Sequence, residues 1–390
     1  MMLGLLLARA GVTVQVLEKH ADFLRDFRGD TIHPSTLEVM HELGLLDRLL
    51  KLPHQEVRQL AVLISDVTVK VADFTHLRTR CRFLAVMPQW DFLDFLAGEA
   101  VRYPGFRLQM RAEVTGLLEE SGRVVGVRAS AEAGPLTLRA DLVVAADGRN
   151  SVVRAQAGLP VEELGAPMDV LWFRLSRRPQ DGGQTMGRFD TGQIFIMIDR
   201  GEHWQCGFVI PKGRFDEIRA AGLPAFRERV ARLAPFVWAQ VNELGTWDDV
   251  KLLTVRVDRL SRWHRPGLLC IGDAAHAMSP IGGVGINLAI QDAVAAANIL
   301  AVPLRQGAVT IEHLGQVQRR REWPTRVTQR IQVAIQNRII ASVLGASRPL
   351  TPPLAVRLLD RVSLLRRLPA RLVGLGIRPE HVTAPVAGSA

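Results

Sequence analysis

The segment GLLCIGDAAHAMSPIGGVGINLAIQDAVAAANIL, residues 267–300, gathers the side chains best placed to do chemistry. Leu268 to Ile271 read as a short strand buried on both faces, and it stops at Gly272-Asp273. A carboxylate at the carboxyl end of a parallel strand lies in the crevice where open α/β sheets bind ligands. There it can accept hydrogen bonds from a polyol. Pro280, Gly282, Gly283 and Gly285 then make a loop free to take positive φ and to bring a ligand against backbone N–H groups. A helix over 286–300 starts at that loop, so its dipole and free amides favour negative charge there. One glycine loop alone would read as an ordinary strand-to-helix turn. Strand, Asp, Pro, three Gly and Asn in this order argue for a ligand site.

A second polar segment is VVAADGRNSVVR, with Asp147-Gly148, Ser151 and Arg154. By itself Asp147 would simply cap the helix that follows. There is no GxSxG, no HExxH and no Cys-His spacing, so neither a covalent nucleophile nor a metal site is expected. Three widely spaced cysteines, Cys81, Cys206 and Cys270, make neither a disulfide framework nor a CxxC pair, which points to a cytoplasmic setting.

The elements that must position these residues alternate between helix and strand. Residues 1–10 have helical spacing and stop at Gly11; VTVQVLE is then a β-branched strand ending at Glu18. In a dinucleotide-binding βαβ unit the acid that holds the ribose lies about 20 residues beyond the glycine-rich turn. Counting back from Glu18 reaches Met1, so the sequence is expected to begin at the helix of such a unit, without its first strand and GxGxxG. LAVLISDVTVKV reads as antiparallel strands, and FRLQM, AEVTGLLEE and RVVGVRAS as a β-meander. From about Asp169 to Val257 the texture turns to aromatic-rich strands with a helical insert near 223–233. Past Arg319 the chain reads as helices kinked or broken by Pro324, Pro349, Pro352 and Pro353.

With 390 residues, 48% of them hydrophobic, the chain is long enough for two packed domains, and disorder is excluded. The net charge of +10 is confined to one region. Residues 313–390 hold thirteen arginines, no lysine and three acids, so residues 1–312 balance to zero. No apolar run approaches the roughly 18–20 residues of a spanning helix.

The Gly272-Asp273 strand end and the loop Pro280–Asn287 resemble those of the flavoprotein monooxygenases of the p-hydroxybenzoate hydroxylase type, which include ubiquinone-biosynthesis hydroxylases. The resemblance spans most of residues 1–345 and implies an N-terminally truncated member. It implies an α/β fold: an FAD-binding Rossmann-like domain lacking its first strand and GxGxxG, with an inserted antiparallel sheet domain for the substrate and C-terminal helices. The expected division is 1–55, 88–165 and 266–300 for the cofactor, 56–87 and 166–265 for the substrate, and 301–390 for the helical region.

Carried over by position, the resemblance places Asp273 on the flavin ribitol. It lays the loop Pro280, Gly282, Gly283, Val284, Gly285, Ile286 and Asn287 along the isoalloxazine, with Pro280, Gly282 and Gly283 facing the reacting ring. Asp147 and Gly148 would support the FAD pyrophosphate, Glu18 the adenosine ribose, Arg28 the cofactor, and Gln89 the ribityl and phosphate region. The implied reaction uses FAD, NADH or NADPH, and O2 to hydroxylate an aromatic or quinone-like small molecule through a flavin C4a-hydroperoxide. A flavin reductase or oxidase of the same fold, and a cofactor-free pseudoenzyme, stay open as alternatives.

Candidate substrate walls are Trp172, Arg174, Phe189, Trp204 and Phe208, with Cys206 beside them. Alternation along strands lets only about half of them face one pocket. Tyr103 is the sole tyrosine and lies in a turn of the cofactor domain, which argues against a tyrosine relay; His203 or a water is the alternative base. In the tail, Arg357, Arg361, Arg366, Arg367 and Arg371 interleave with leucines and valines, an amphipathic basic pattern. Two readings stand: helices packed on the cofactor domain with arginines in solvent, or a peripheral membrane contact. Nucleic acid is not expected, since no stacking platform accompanies the charge.

Overall fold

The computed structural model describes residues 1–24, 31–181 and 186–387. Helix α1 (Met2–Arg9) ends where Gly11 takes φ 82°, a conformation glycine adopts without cost, and the chain turns into strand β1 (Val14–Leu17). β1 pairs in parallel with β2 (Phe106–Gln109), Val14 opposite Phe106. The expected meander therefore loses FRLQM; it is made instead by Ala112–Glu120, Arg123–Ala131 and Gly134–Arg139. Strand β3 (Val143–Ala145) pairs in parallel with β4 (Leu268–Cys270). Among the described residues no strand joins β1 to β3, and both strands border one large cavity.

The long helix α2 (Gly285–Arg305) packs on α1, and their apolar faces bury Leu5, Leu6, Val294 and Ala297 together with Leu268 and Leu269 of β4. By length and composition α2 with its lead-in would suffice to cross a membrane, unlike the sequence expectation, but it is mostly buried as the core helix of this layer. Helix α3 (Ile311–Ile335) runs through Pro324 without breaking and continues as a π turn at Gln336–Ile340. Proline removes one backbone hydrogen bond there. Burial of Arg321, Thr325 and Gln329 on the same stretch holds the helix in line.

A seven-stranded sheet forms the second layer, in the order Lys251–Leu253, Met168–Ser176, His203–Pro211, Gln193–Asp199, Met186–Asp190, Gln59–Ile64, Val67–Asp73. It is antiparallel except where Met186–Asp190 meets Gln59–Ile64 in parallel. Its two faces differ. Leu171, Phe173, Phe195, Trp204, Cys206 and Phe208 form a dry core with Phe226 and Val230 of the helix Leu223–Leu233. Met168, Val170, Trp172, Ile194 and Val209 face the other way, toward the cavity.

Two short helices, α4 (Leu354–Arg361) and α5 (Arg367–Gly374), close the chain's path over this sheet. They rest on the strand Val67–Asp73, with Ala370 packed among Ala72, Phe74, Leu77 and Leu84. The tail helices thus lie against the substrate-sheet segment, and α5 also reaches the cofactor part, where the Val373 carbonyl meets His33.

Candidate functional site

Three carboxylates sit at the carboxyl ends of the parallel strands: Glu18 after β1, Asp147 after β3 and Asp273 after β4. All three border a cavity of about 2960 Å³. That is several times the roughly 300–1,000 Å³ of an ordinary ligand pocket. Gln89, at the start of the helix Gln89–Ala100, lines the same space, as do Gly148, Pro280, Gly282, Gly283, Gly285 and Ile286. Arg28 lies outside the described residues.

The glycine loop has the conformation its residue types allow. Gly282 takes φ 77° and Gly283 φ 61°, and a Cβ on Gly283 would stand 2.3 Å from Thr31 Oγ1. α2 then begins at Gly285, and its N-terminus has no side-chain cap, which leaves its first amides for a ligand. Asn287, expected to touch the flavin, is used within the protein instead. Its Oδ1 accepts from His33 N at 2.9 Å and Thr36 Oγ1 at 2.8 Å, and its Nδ2 donates to the Thr31 and Gly283 carbonyls. Val284 packs with Met278 and Leu288. Both residues shape the loop from behind.

Asp273 is partly open to the cavity and meets Arg149 Nη2 at 3.3 Å, while Arg149 Nη1 is buried without a partner among the described residues. An unmatched guanidinium N–H beside a carboxylate and an uncapped helix suits a ligand that offers both hydroxyls and phosphate oxygens. Glu18, Gln89, Asp147, Gly148, Arg149, Asp273 and the 282–286 backbone line one cavity and fit FAD in chemistry. Asp147 also accepts Val153 N at 3.3 Å, while Ser151 caps the same helix through Arg154 N.

Sequence reasoning missed what holds this site. Asp292 is fully buried on α2 and accepts from Gly272 N at 3.0 Å, from Arg321 Nε at 3.0 Å and meets His276 Nε2 at 2.6 Å. Burial alone would raise its pKa; the His276 and Arg321 contacts win and hold the carboxyl below the usual range. Arg321 passes the chain on to Glu380 at 3.1 Å. Below it, Gln329, Gln332 and Gln336 of the α3 stretch donate to the carbonyls of Asp258, Ala277, Ser279 and Ile281 and to Ser279 Oγ. The signal in the sequence is the 3-and-4 spacing of three glutamines on one helix face. Arg154, paired with Asp258 at 3.0 Å, also donates to the Arg149 carbonyl and so fixes the Asp147–Arg149 turn.

His33 stands between this loop and the tail. Burial drives its pKa from 6.5 down to about 4 despite the bond to the Val373 carbonyl, so the ring is neutral, donating from Nδ1 to Val373 O at 2.7 Å. Nε2 then accepts from Thr31 Oγ1, 3.2 Å away.

Of the substrate candidates, Trp172 and Phe189 line the cavity. Trp204 and Phe208 lie in the dry core on the opposite face, because each strand alternates its side chains, and Arg174 is exposed away from the cavity. Neither His203 nor Tyr103 lines the cavity. Burial pushes the Cys81 thiol up to about 11 and Cys270 up to about 12, so neither is a thiolate nucleophile.

The family model described as FAD binding domain matches residues 1–331. This chain belongs to that family of FAD-dependent aromatic hydroxylases. It is 33% identical over 371 residues to 6-methylpretetramide 4-monooxygenase of Streptomyces rimosus, a match covering 94% of this chain and 88% of that protein. It is 24% identical over 315 residues to 3-demethoxyubiquinol 3-hydroxylase of Escherichia coli, covering 75% and 76% of the two. Among solved structures, p-nitrophenol 4-monooxygenase PnpA of Pseudomonas putida shares the fold at 20% identity with a TM-score of 0.76, covering 97% of this chain and 95% of that one. The family is one of FAD oxidoreductases, and the crevice at the carboxyl ends of β1, β3 and β4 is where such a cofactor belongs.

Proposed function

We propose that this chain hydroxylates an aromatic or quinone-like small molecule with NADH or NADPH and O2, and that a flat, multi-ring phenol or enol is the substrate class. The observation that carries the reading is the meeting of two surfaces. Ile281 of the glycine loop packs against the apolar sheet face of Met168, Val170, Trp172, Ile194 and Val209. A ring resting on that face thus lies beside the loop assigned to the isoalloxazine. The apolar lining favours a broad, flat ligand and keeps water away from the reacting centre. The relative named for 6-methylpretetramide supports a multi-ring substrate.

FAD, when bound, supplies the hydride acceptance and oxygen activation. The protein's part is position and charge. Glu18 and Asp273 accept hydroxyl hydrogens, Arg149 and the α2 N-terminus meet negative charge, and the positive-φ glycines let backbone approach the ring. Tyr103 and His203 do not line the cavity, so neither is assigned the role of base.

The test is NADH and NADPH oxidation by the FAD-loaded protein against a panel of hydroxylated anthraquinones, naphthacenes and simple phenols, under 18O2. Label in a product supports hydroxylation. Coenzyme consumption with no labelled product in the panel identifies the reductase or oxidase alternative, and failure to bind FAD identifies the pseudoenzyme.

A further inference from the structure

α4 and α5 have two sides, and one of them is fully explained. Val356 and Leu359 line the cavity, Asp360 accepts from Lys70 N at 3.0 Å, and Ala370 is buried against Phe74. The outward side is not. Leu354 is 83% exposed, Leu358 52%, Leu364 61% and Leu368 75%, all within 15 residues. Arg357, Arg361, Arg367 and Arg371 are exposed among them. Asp360, the one acid between Leu354 and Gly374, is held by the Lys70 amide.

Scattered exposed leucines are ordinary; four within 15 residues, interleaved with exposed arginines on helices already packed on their inner side, mark a surface that something covers. Full burial of a leucine is worth about 1.5–3 kcal/mol, and each arginine near an anionic bilayer adds about 1 kcal/mol. Leucines that sink below the headgroups while guanidiniums meet lipid phosphates satisfy both sets of side chains at once. A protein partner would need a matching acidic and apolar face; a bilayer offers both everywhere.

We propose that α4 and α5 form a monotopic docking surface for an anionic lipid bilayer. The inner face of α4 is a cavity wall, so docking brings the cavity within one helix thickness of the membrane. The proposal concerns attachment and stands apart from the hydroxylation reading.

The test is co-sedimentation of the full chain with phosphatidylglycerol–phosphatidylcholine vesicles and with pure phosphatidylcholine vesicles, at low and high salt. Binding to the anionic vesicles is expected, weakened by salt and by removing phosphatidylglycerol. It should fall at least roughly tenfold in Leu358→Ser/Leu368→Ser and in Arg361→Gln/Arg367→Gln, with melting temperatures unchanged because these side chains are exposed. No binding at low salt, or binding unaltered in both variants, overturns the proposal. A self-association in gel filtration that Leu358→Ser/Leu368→Ser abolishes, without vesicle binding, would assign the face to a second copy and overturn it equally.

Discussion

Around Gly272 and the glycine loop, buried polar groups do the holding: Asp292 with His276 and Arg321, Gln329 and Gln332 on backbone carbonyls, Gln336 on Ser279 Oγ, Asn287 on His33 and Thr36. Across the cavity, the sheet face of Trp172, Phe189, Ile194 and Val209 presents almost only apolar surface. The cofactor side needs backbone atoms fixed in place, and directional bonds with unsatisfied alternatives do that. The substrate side needs shape and dryness, which a pleated sheet provides without specifying one ligand. Substitutions on the two sides should therefore be read out by different measurements.

The largest effect is expected at the network. Asp292→Ala leaves His276 buried without its carboxylate and Arg321 with the Glu380 carboxylate alone, and should cost about 3–5 kcal/mol in denaturant unfolding, with FAD content falling too. A loss below about 1 kcal/mol would show the loop to be held by packing instead. Phe208→Ala, in the dry core, should cost about 3–5 kcal/mol while leaving substrate preference unchanged.

His33 contributes through pH. Its folded pKa of about 4 lies below the unfolded 6.5, so its neutral form contributes fully above about pH 6.5. That contribution is lost as pH falls toward 4, up to about 3 kcal/mol. Melting temperature against pH should fall in that window for the native chain and flatten in His33→Gln.

At the loop itself, Gly283→Ala forces a Cβ onto Thr31 Oγ1 and should weaken FAD roughly tenfold or more in fluorescence titration. Asp273→Asn, which removes the charge from a hydrogen-bond acceptor, should weaken FAD by about tenfold with little change in stability. Phe189→Ala should cost about 1 kcal/mol or less in stability, with a change in substrate KM or selectivity. If Phe189→Ala and Phe208→Ala behave alike, the two faces of the sheet do not divide their roles.

How much could be read beforehand depended on the range of the interaction. The Gly272-Asp273 turn, the glycine loop and the helix after it are local patterns, and they appear where their spacing put them. Phe106–Gln109 did not join its sequence neighbours because a parallel partner 92 residues away, Val14, competes for the same edge. Trp204 and Phe208 went to the dry core because strand phase is set by register across seven strands, which no single strand reveals. Pro324 stayed inside a helix because its neighbours are anchored by tertiary contacts to the loop and to Glu380.

From the sequence alone came the α/β class, from helix and strand patterns at short spacing, the confinement of the positive charge to residues 313–390, from residue counts, and the flavin family, through the resemblance of the Gly272-Asp273 turn and its glycine loop. The tertiary structure alone decided which aromatic residues face the cavity, that Asn287 and Asp292 act from behind the loop, and that leucines of α4 and α5 remain exposed. Those outcomes depend on which distant elements meet, and burial and register are properties of that meeting rather than of any one segment.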